Sequence, residues 1–165
     1  MAAIVAGKRA PSFSLPLMLG GQFSLAETLG RGPVVLAFFK ISCPVCQFAF
    51  PYLERVNQAV KGKNITIIGV SQNSKEDTAA FAREYGITFP IALDDPRKYP
   101  ASNAYGITNV PSVFYVAKDG GIEISSVGWS RSDLEQIARR VGEEAKAGKI
   151  EVIRVGEDVP AFKAG

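Results

Sequence analysis

VVLAFFKISCPVCQFAFPY, residues 34–52, decides the fold of this 165-residue chain. Residues 34–39 form a continuous apolar run, typical of a strand buried on both faces of a sheet. After a short link, Cys43 opens a helical pattern that Pro51 is expected to kink. Its apolar residues recur every fourth position: Phe48, Tyr52, Val56 and Val60, with Leu53 beside them. The stretch therefore predicts a central strand leading into a helix.

Strand and helix patterns continue to alternate after this stretch. Residues 65–70 form a second apolar run, and Ser74 with Asp77 predicts the N-terminus of a helix that reaches Tyr85. Such alternation predicts parallel strands joined by right-handed crossovers. The fold class is therefore α/β, with a central sheet flanked by helices on both faces.

An antiparallel part follows and makes the predicted sheet mixed. Residues 89–93 read as a short strand, and residues 112–117 and 122–127 read as a hairpin. Ser132 and Glu135 then form a predicted capping box. The helix behind it carries apolar residues at helical spacing, namely Leu134, Ile137, Ala138 and Val141.

The two ends of the chain are predicted to add smaller elements. An N-terminal β-hairpin is expected around Gly20 and Gly21, flanked by apolar Phe13, Leu15, Phe23 and Leu25. Residues 149–155 alternate apolar and charged positions, which predicts a late edge strand. We expect one domain over residues 1–165, with its core at 10–145 and a C-terminal extension at 149–165.

Composition narrows the classes of partner. The formal charge of +3 comes from Lys and Arg residues that are dispersed among Asp and Glu, so we expect no nucleic-acid surface. No apolar run approaches the length of a membrane span, and residues 1–9 lack the order of a secretory signal. A cytoplasmic location without membrane contact is the default expectation.

Two cysteines and no histidine limit the chemistry. Histidine-dependent nucleophilic catalysis and His-ligated metals are excluded within the chain. Cys43 lies at the predicted helix start, where free backbone N–H groups and the helix dipole favour a thiolate. Cys46 follows almost one turn later, within reach of a mixed disulfide on Cys43. This arrangement predicts Cys43 as the nucleophile and Cys46 as the resolving thiol.

Three other readings of the Cys43/Cys46 pair stay open. Structural zinc needs four ligands and would require sharing in a dimer or added carboxylates, so no metal is expected. A structural disulfide across so short a loop would constrain the unfolded chain little. Two buried core cysteines are a third alternative, which would leave the spacing and the helix-start position to chance.

Three segments resemble the redoxin branch of the thioredoxin superfamily: residues 34–52, YGITNVPS at 105–112 and APSFSL at 10–15. That branch includes TlpA-like thiol-disulfide oxidoreductases and AhpC/TSA-type peroxiredoxins. The resemblance implies a thioredoxin-like fold in which Pro111 follows a cis bond and lies against the dithiol. It also implies that Val110 offers backbone hydrogen bonds to substrate. Pro44 and Val45, between the cysteines, are expected to complete the substrate site.

Three positions depart from the pattern of these families. The residue before the first cysteine, often Trp, is Ser42, and the acidic residue expected three positions after the second cysteine is Ala49. Lys40 stands where peroxiredoxins carry Thr or Ser, which weakens a peroxidase function. Lys40 is either a solvated strand-end lysine or a charge that lowers a thiol pKa.

The predicted function is thiol-disulfide exchange with protein or small-molecule disulfides, supported by an upstream dithiol reductant and without a cofactor. The first alternative is a peroxiredoxin-like thiol peroxidase, in which Cys43 becomes a sulfenic acid and condenses with Cys46. The second is a redox-sensing thioredoxin-like binding module, which would keep its partner affinity without either cysteine.

Overall fold

Strands and helices alternate along the chain in the computed structural model, which describes residues 2–165. The strands are β1 (Ser14–Pro16), β2 (Gln22–Ser24), β3 (Val34–Phe39), β4 (Thr66–Ser71), β5 (Ile91–Leu93), β6 (Ser112–Val116), β7 (Ile122–Val127), β8 (Trp129–Ser130) and β9 (Phe162–Lys163). The helices are α1 (Leu25–Leu29), α2 (Pro44–Ala59), α3 (Lys75–Tyr85), α4 (Pro100–Ala104) and α5 (Arg131–Ala145).

A five-stranded mixed sheet in the order β5-β4-β3-β6-β7 forms the centre of the fold. Strand β3 pairs in parallel with β4 and antiparallel with β6, and all six of its residues are buried. A strand with neighbours on both sides and side chains covered on both faces is expected to be apolar throughout. The predicted α/β fold with a mixed sheet is confirmed.

The register of β3 and β6 determines where the site forms. Phe38, near the end of β3, lies opposite Ser112, the first residue of β6. Because the two strands are antiparallel, the C-terminal end of β3 and the N-terminal end of β6 lie side by side at the same end of the sheet. The loop that contains Cys43 and the bond before Pro111 therefore approach each other.

The sheet separates two apolar clusters. The cluster on the dithiol side packs α2, α3 and α5 against the sheet and includes Cys46, Phe50, Phe81, Trp129 and Ile137. The cluster on the opposite side is built from the N-terminal elements and α4, and it includes Leu15, Phe23, Leu25, Ala101 and Tyr105. Both faces are covered, as the alternation of elements predicts.

The predicted N-terminal hairpin is confirmed. Leu15 pairs with Phe23 across β1 and β2. The connecting turn needs residues without a Cβ, since Gly20 and Gly21 have φ angles of +103° and +82°. The Leu17 N–H closes the turn by donating to the Gly21 carbonyl at 2.9 Å.

The edge strand predicted at residues 149–155 is wrong. This segment is an irregular loop with a bend at residues 152–153, and within it the Val152 N–H donates to the Ile150 carbonyl at 3.0 Å. An additional strand cannot pair with β7 at Ile122, because the N-terminal segment already occupies its backbone groups. The Gly7 N–H donates to the Ile122 carbonyl, and the Ile122 N–H donates to the Lys8 carbonyl. The apolar residues instead pack against the dithiol-side cluster, with Val152 buried.

Two details of the predicted helices also change. Helix α5 is capped by Ser130, whose hydroxyl accepts from the Asp133 N–H at 3.3 Å, and not by the predicted capping box at Ser132. Helix α2 includes Pro51, and the kink expected there stays a prediction. Its buried face is rotated from the predicted one, because Phe48 and Tyr52 are only half-buried. The fully packed positions are Cys46, Ala49, Phe50, Leu53 and Val56.

Within residues 2–165, none of the helices has the length and apolar character that crossing a membrane requires.

Candidate active site

Cys43 is the N-cap of α2. Its backbone is extended, with φ −83° and ψ 114°, and Pro44 occupies the first turn, where a missing N–H costs nothing. The Cys46 N–H donates to Cys43 Sγ at 3.2 Å. This hydrogen bond and the positive end of the helix dipole both favour negative charge on the sulfur. The predicted position of Cys43 at the helix start is confirmed.

The Val110–Pro111 segment lies against Cys43. The bond between the two residues is cis, as the family resemblance implies. Cys43 Sγ is 3.4 Å from the Val110 carbonyl oxygen, to which its thiol donates. Val110 is half-buried and Pro111 is buried. The structure therefore brings together residues that are 67 positions apart in the chain.

The two thiols have different environments. Cys43 is half-buried, whereas Cys46 is fully buried. Burial raises the pKa of the Cys46 thiol well above its ordinary range, and the hydrogen bond and negative charge of Cys43 raise it further. Of the residues between them, Pro44 is exposed and Val45 is half-buried. Cys43 is therefore the sulfur that a substrate can reach.

Side chains that the sequence did not indicate hold the loop before Cys43. The Ile41 N–H donates to Asn73 Oδ1 at 3.0 Å, and Gln47 Nε2 donates to the Ile41 carbonyl at 2.8 Å. Asn73 follows the end of β4, which pairs in parallel with β3. Functional residues often lie at the carboxyl ends of parallel strands, and this position could have indicated Asn73 from the sequence. These contacts join the approach to Cys43 to both β4 and α2.

The three residues that depart from the family pattern differ in their exposure to solvent. Lys40 and Ser42 are exposed, and Ala49 is buried in the apolar cluster. Over residues 2–165, there is no group of three or more His, Cys, Asp and Glu side chains that could hold a metal ion. The polar groups in contact with the Cys43 sulfur are two backbone groups, the Cys46 N–H and the Val110 carbonyl.

A buried carboxylate on α2 lies two turns beyond Cys46. Glu54 is only 9% exposed and accepts hydrogen bonds from the Thr88 N–H at 2.9 Å and the Phe89 N–H at 3.3 Å. Gln58 Nε2 and the Thr88 hydroxyl donate to its other oxygen. Burial opposes ionisation, but these hydrogen bonds outweigh it and hold the pKa of Glu54 below its ordinary range. Glu54 thus fastens α2 to the loop before β5.

We predict that alkylation distinguishes the two thiols. With limiting iodoacetamide near neutral pH, Cys43 should be modified at least about tenfold faster than Cys46, because only Cys43 is accessible and receives an N–H bond at the helix start. Mass spectrometry of proteolytic peptides measures the order. Cys46→Ala serves as the control and should keep the Cys43 rate. Preferential modification of Cys46 would reverse the assigned roles.

Comparison with known proteins places this site in a family. The model of the AhpC/TSA family matches residues 6–125. Thiol-disulfide oxidoreductase ResA of Halalkalibacterium halodurans is 30% identical over 142 residues, covering 85% of this chain and 79% of that protein. ResA of Geobacillus thermodenitrificans is 29% identical over 136 residues, covering 81% of this chain and 76% of that protein.

The fold has close counterparts among solved structures. The thioredoxin domain of a thiol-disulfide oxidoreductase from Bacteroides vulgatus superposes with a TM-score of 0.74 at 24% identity, covering 84% of this chain and 98% of that one. This similarity shows a thioredoxin fold. Since the family model spans well over half of the sequence, the chain belongs to the AhpC/TSA family of the thioredoxin superfamily.

Proposed function

We propose that the chain is a thiol-disulfide oxidoreductase in which Cys43 attacks the substrate disulfide and Cys46 resolves the product. The observation that carries this proposal is the asymmetry of the pair. Cys43 Sγ is accessible and accepts an N–H bond from Cys46, whereas the Cys46 thiol is buried directly behind it. The names of the ResA relatives support the same activity.

The reaction takes two exchange steps. The Cys43 thiolate attacks one sulfur of the substrate disulfide, a mixed disulfide forms, and the other substrate sulfur leaves as a thiolate that takes up a proton. Cys46 then loses its proton and attacks Cys43 Sγ. The Cys43–Cys46 disulfide forms while the second substrate sulfur leaves. The substrate gains two electrons and the protein loses two, so an upstream dithiol must reduce Cys43–Cys46 before the next turnover.

The perturbed pKa of Cys46 gives the two steps their order. Negative charge on Cys43 is one of the causes that raise the Cys46 pKa. Formation of the mixed disulfide removes that charge, so Cys46 becomes easier to deprotonate only after substrate has been captured. Burial continues to oppose ionisation, which keeps the resolving thiol protonated in the resting protein.

Val110, Pro111, Pro44 and Val45 form the proposed substrate contact. The Val110 carbonyl lies beside the attacking sulfur, and an extended backbone near Cys43 would meet it first. Exposed Pro44 and half-buried Val45 follow Cys43 at the first turn of α2. The cytoplasmic location expected from the sequence stays a prediction.

The proposed function is tested with the reduced chain and the small disulfide DTNB, whose cleavage is followed by absorbance. The wild-type protein should release the aromatic thiol and acquire a Cys43–Cys46 disulfide that dithiothreitol reverses. Lys61→Ala is a control, since it removes an exposed lysine beyond the far end of α2 and keeps both sulfurs. Failure of the reduced protein to cleave disulfides would contradict the proposal.

We predict feeble peroxidase activity. Lys40 lies three positions before Cys43, where the resembling peroxiredoxins carry a hydroxyl residue, and its side chain is exposed. Stopped-flow oxidation of Cys43 by hydrogen peroxide should therefore proceed near the rate of an ordinary accessible thiolate. Lys40→Thr, which restores the hydroxyl, is the informative comparison. A wild-type rate orders of magnitude faster would make the peroxidase the leading function.

A further inference from the structure

A short segment near the end of the described chain packs against the Val110 carbonyl of the candidate active site. We call residues 162–165 the strap. Strand β9 within it pairs with β8, which sets Lys163 opposite Trp129. Just before the strap, the Pro160 carbonyl accepts from Trp129 Nε1 at 2.7 Å, and the Ala161 carbonyl accepts from the Arg131 N–H at 3.0 Å. The strap is therefore directed from the start of α5 towards the loop that contains Val110.

The strap ends on the Val110 carbonyl. Asn109 Nδ2 donates to the Gly165 carbonyl at 3.1 Å. A Cβ added to Gly165 would clash with the Val110 carbonyl oxygen and would lie 3.3 Å from Gly128 Cα. Gly165 thus packs directly on the oxygen that lies 3.4 Å from Cys43 Sγ.

Two further contacts hold the strap close to the dithiol. Lys163 Nζ lies 5.2 Å from the ring centroid of Phe48, which follows Cys46 by two residues on α2. Gly128 has a φ of +77°, and a Cβ at this position would clash with the Lys163 carbonyl. Glycine is needed here because the backbone of the strap approaches so closely.

We propose that the strap makes the enzyme selective for small disulfides over disulfides in polypeptides. This inference rests on the proposed function. A polypeptide cystine carries backbone on both sides of its sulfur, and that backbone has to pass the Val110 carbonyl when Cys43 attacks. The strap already covers that carbonyl. A small disulfide presents only its sulfur and its substituents, so it reaches Cys43 without displacing Gly165.

The selectivity is a matter of degree, because the strap can be displaced. Its ladder with β8 contains two residue pairs, and the Asn109–Gly165 hydrogen bond is exposed. Phe162 is 59% exposed, so it adds little packing. A polypeptide substrate therefore competes with a weakly held segment, and its apparent affinity is reduced by the fraction of molecules in which the strap is closed.

The experiment removes the strap and compares two substrates. Truncation after Ala161 keeps the contacts of Pro160 and Ala161 with Trp129 and Arg131. We expect kcat/KM for reduction of insulin to rise about 3- to 10-fold, while the DTNB rate changes less than about twofold. Val155→Ala is the control, because Val155 is 96% exposed in the same C-terminal region, outside the strap. It should leave both rates unchanged.

A second variant keeps the full chain. Asn109→Ala removes the side-chain bond to Gly165 and should raise the insulin rate in the same direction by a smaller factor, even if the truncated chain fails to fold. An unchanged insulin rate in the folded variants would overturn the proposal, and so would an equal rise with DTNB.

Alkylation of Cys43 separates this proposal from the proposed function. If the wild-type protein cleaves neither insulin nor DTNB, the proposed function fails, but the strap can still be measured. Its removal should accelerate modification by a polyethylene-glycol maleimide relative to iodoacetamide. An unchanged ratio of the two rates would overturn the strap on its own.

Discussion

Replacing Cys43 by Ser is expected to lower the rate of disulfide exchange by at least about three orders of magnitude, because a hydroxyl is not ionised near neutral pH and is a poor nucleophile towards sulfur. Replacing Cys46 by Ser should instead stop the reaction after capture. Cys43 would remain attached to the substrate in a mixed disulfide, since the thiol that releases it is gone. Non-reducing gel electrophoresis and intact mass after incubation with insulin or DTNB distinguish the two outcomes.

The two Ser variants control for each other, because each changes a single sulfur atom at neighbouring positions of the same helix start. Unfolding curves should be compared first, so that a loss of exchange is not a loss of fold. Equal trapping by both variants would mean that either thiol can attack. That result would contradict the ordered mechanism inferred from the buried Cys46 and accessible Cys43.

Replacing Glu54 by Leu is expected to reduce the free energy of unfolding by about 2 to 4 kcal/mol. The substitution leaves the Thr88 and Phe89 N–H groups without their acceptor, and Phe89 is buried. Glu54→Gln retains one acceptor oxygen and should cost about 1 kcal/mol. Exposed Glu84→Leu is the control for replacing a carboxylate by an apolar side chain. Urea unfolding followed by Trp129 fluorescence measures all three.

The contribution of Glu54 should also depend on pH. Its pKa in the folded protein is lowered, so the ionised side chain contributes its full stability above the ordinary carboxyl pKa of about 4.3. That stability is lost as the pH falls through the lowered pKa of the folded state. The difference between the wild-type protein and Glu54→Leu should therefore narrow in acid. A difference that is constant from neutral pH to acid would show that packing, and not the carboxylate, is responsible.

The sequence was most informative where local pattern and tertiary role agree. The apolar run at 34–39 has no polar residue to place on a solvent face, so only a central strand suits it. Cys43 was placed at the helix start because the helical pattern begins there, and in the structure it is the N-cap of α2. The Gly20–Gly21 turn was equally local, because positive φ angles are required there.

Long-range contacts account for the errors and omissions. The alternation at 149–155 resembles a strand, but whether an edge is open to receive it depends on distant residues 7 and 8. Glu54 was not singled out from the sequence, because its hydrogen-bond partners Thr88 and Phe89 are more than thirty residues away. Its spacing of four from Phe50 and eight from Cys46, both buried, was a signal for a buried carboxylate that the apolar pattern alone does not show. The strap has no pattern of its own, since only two of its residues form a strand.

The division of the molecule into two apolar clusters has a consequence for biosynthesis. Residues 13–29 are synthesised before the strands of the central sheet, yet their cluster includes Phe114 and Ile122, on the last two strands of that sheet. The dithiol-side cluster is incomplete until Trp129 and α5 have been synthesised. Neither side of the sheet can therefore close before β6 and β7 are synthesised, and apolar surface stays exposed until the β6–β7 hairpin is made. A nascent chain of this design depends on chaperones, or on rapid translation of its second half, more than one that closes its core early.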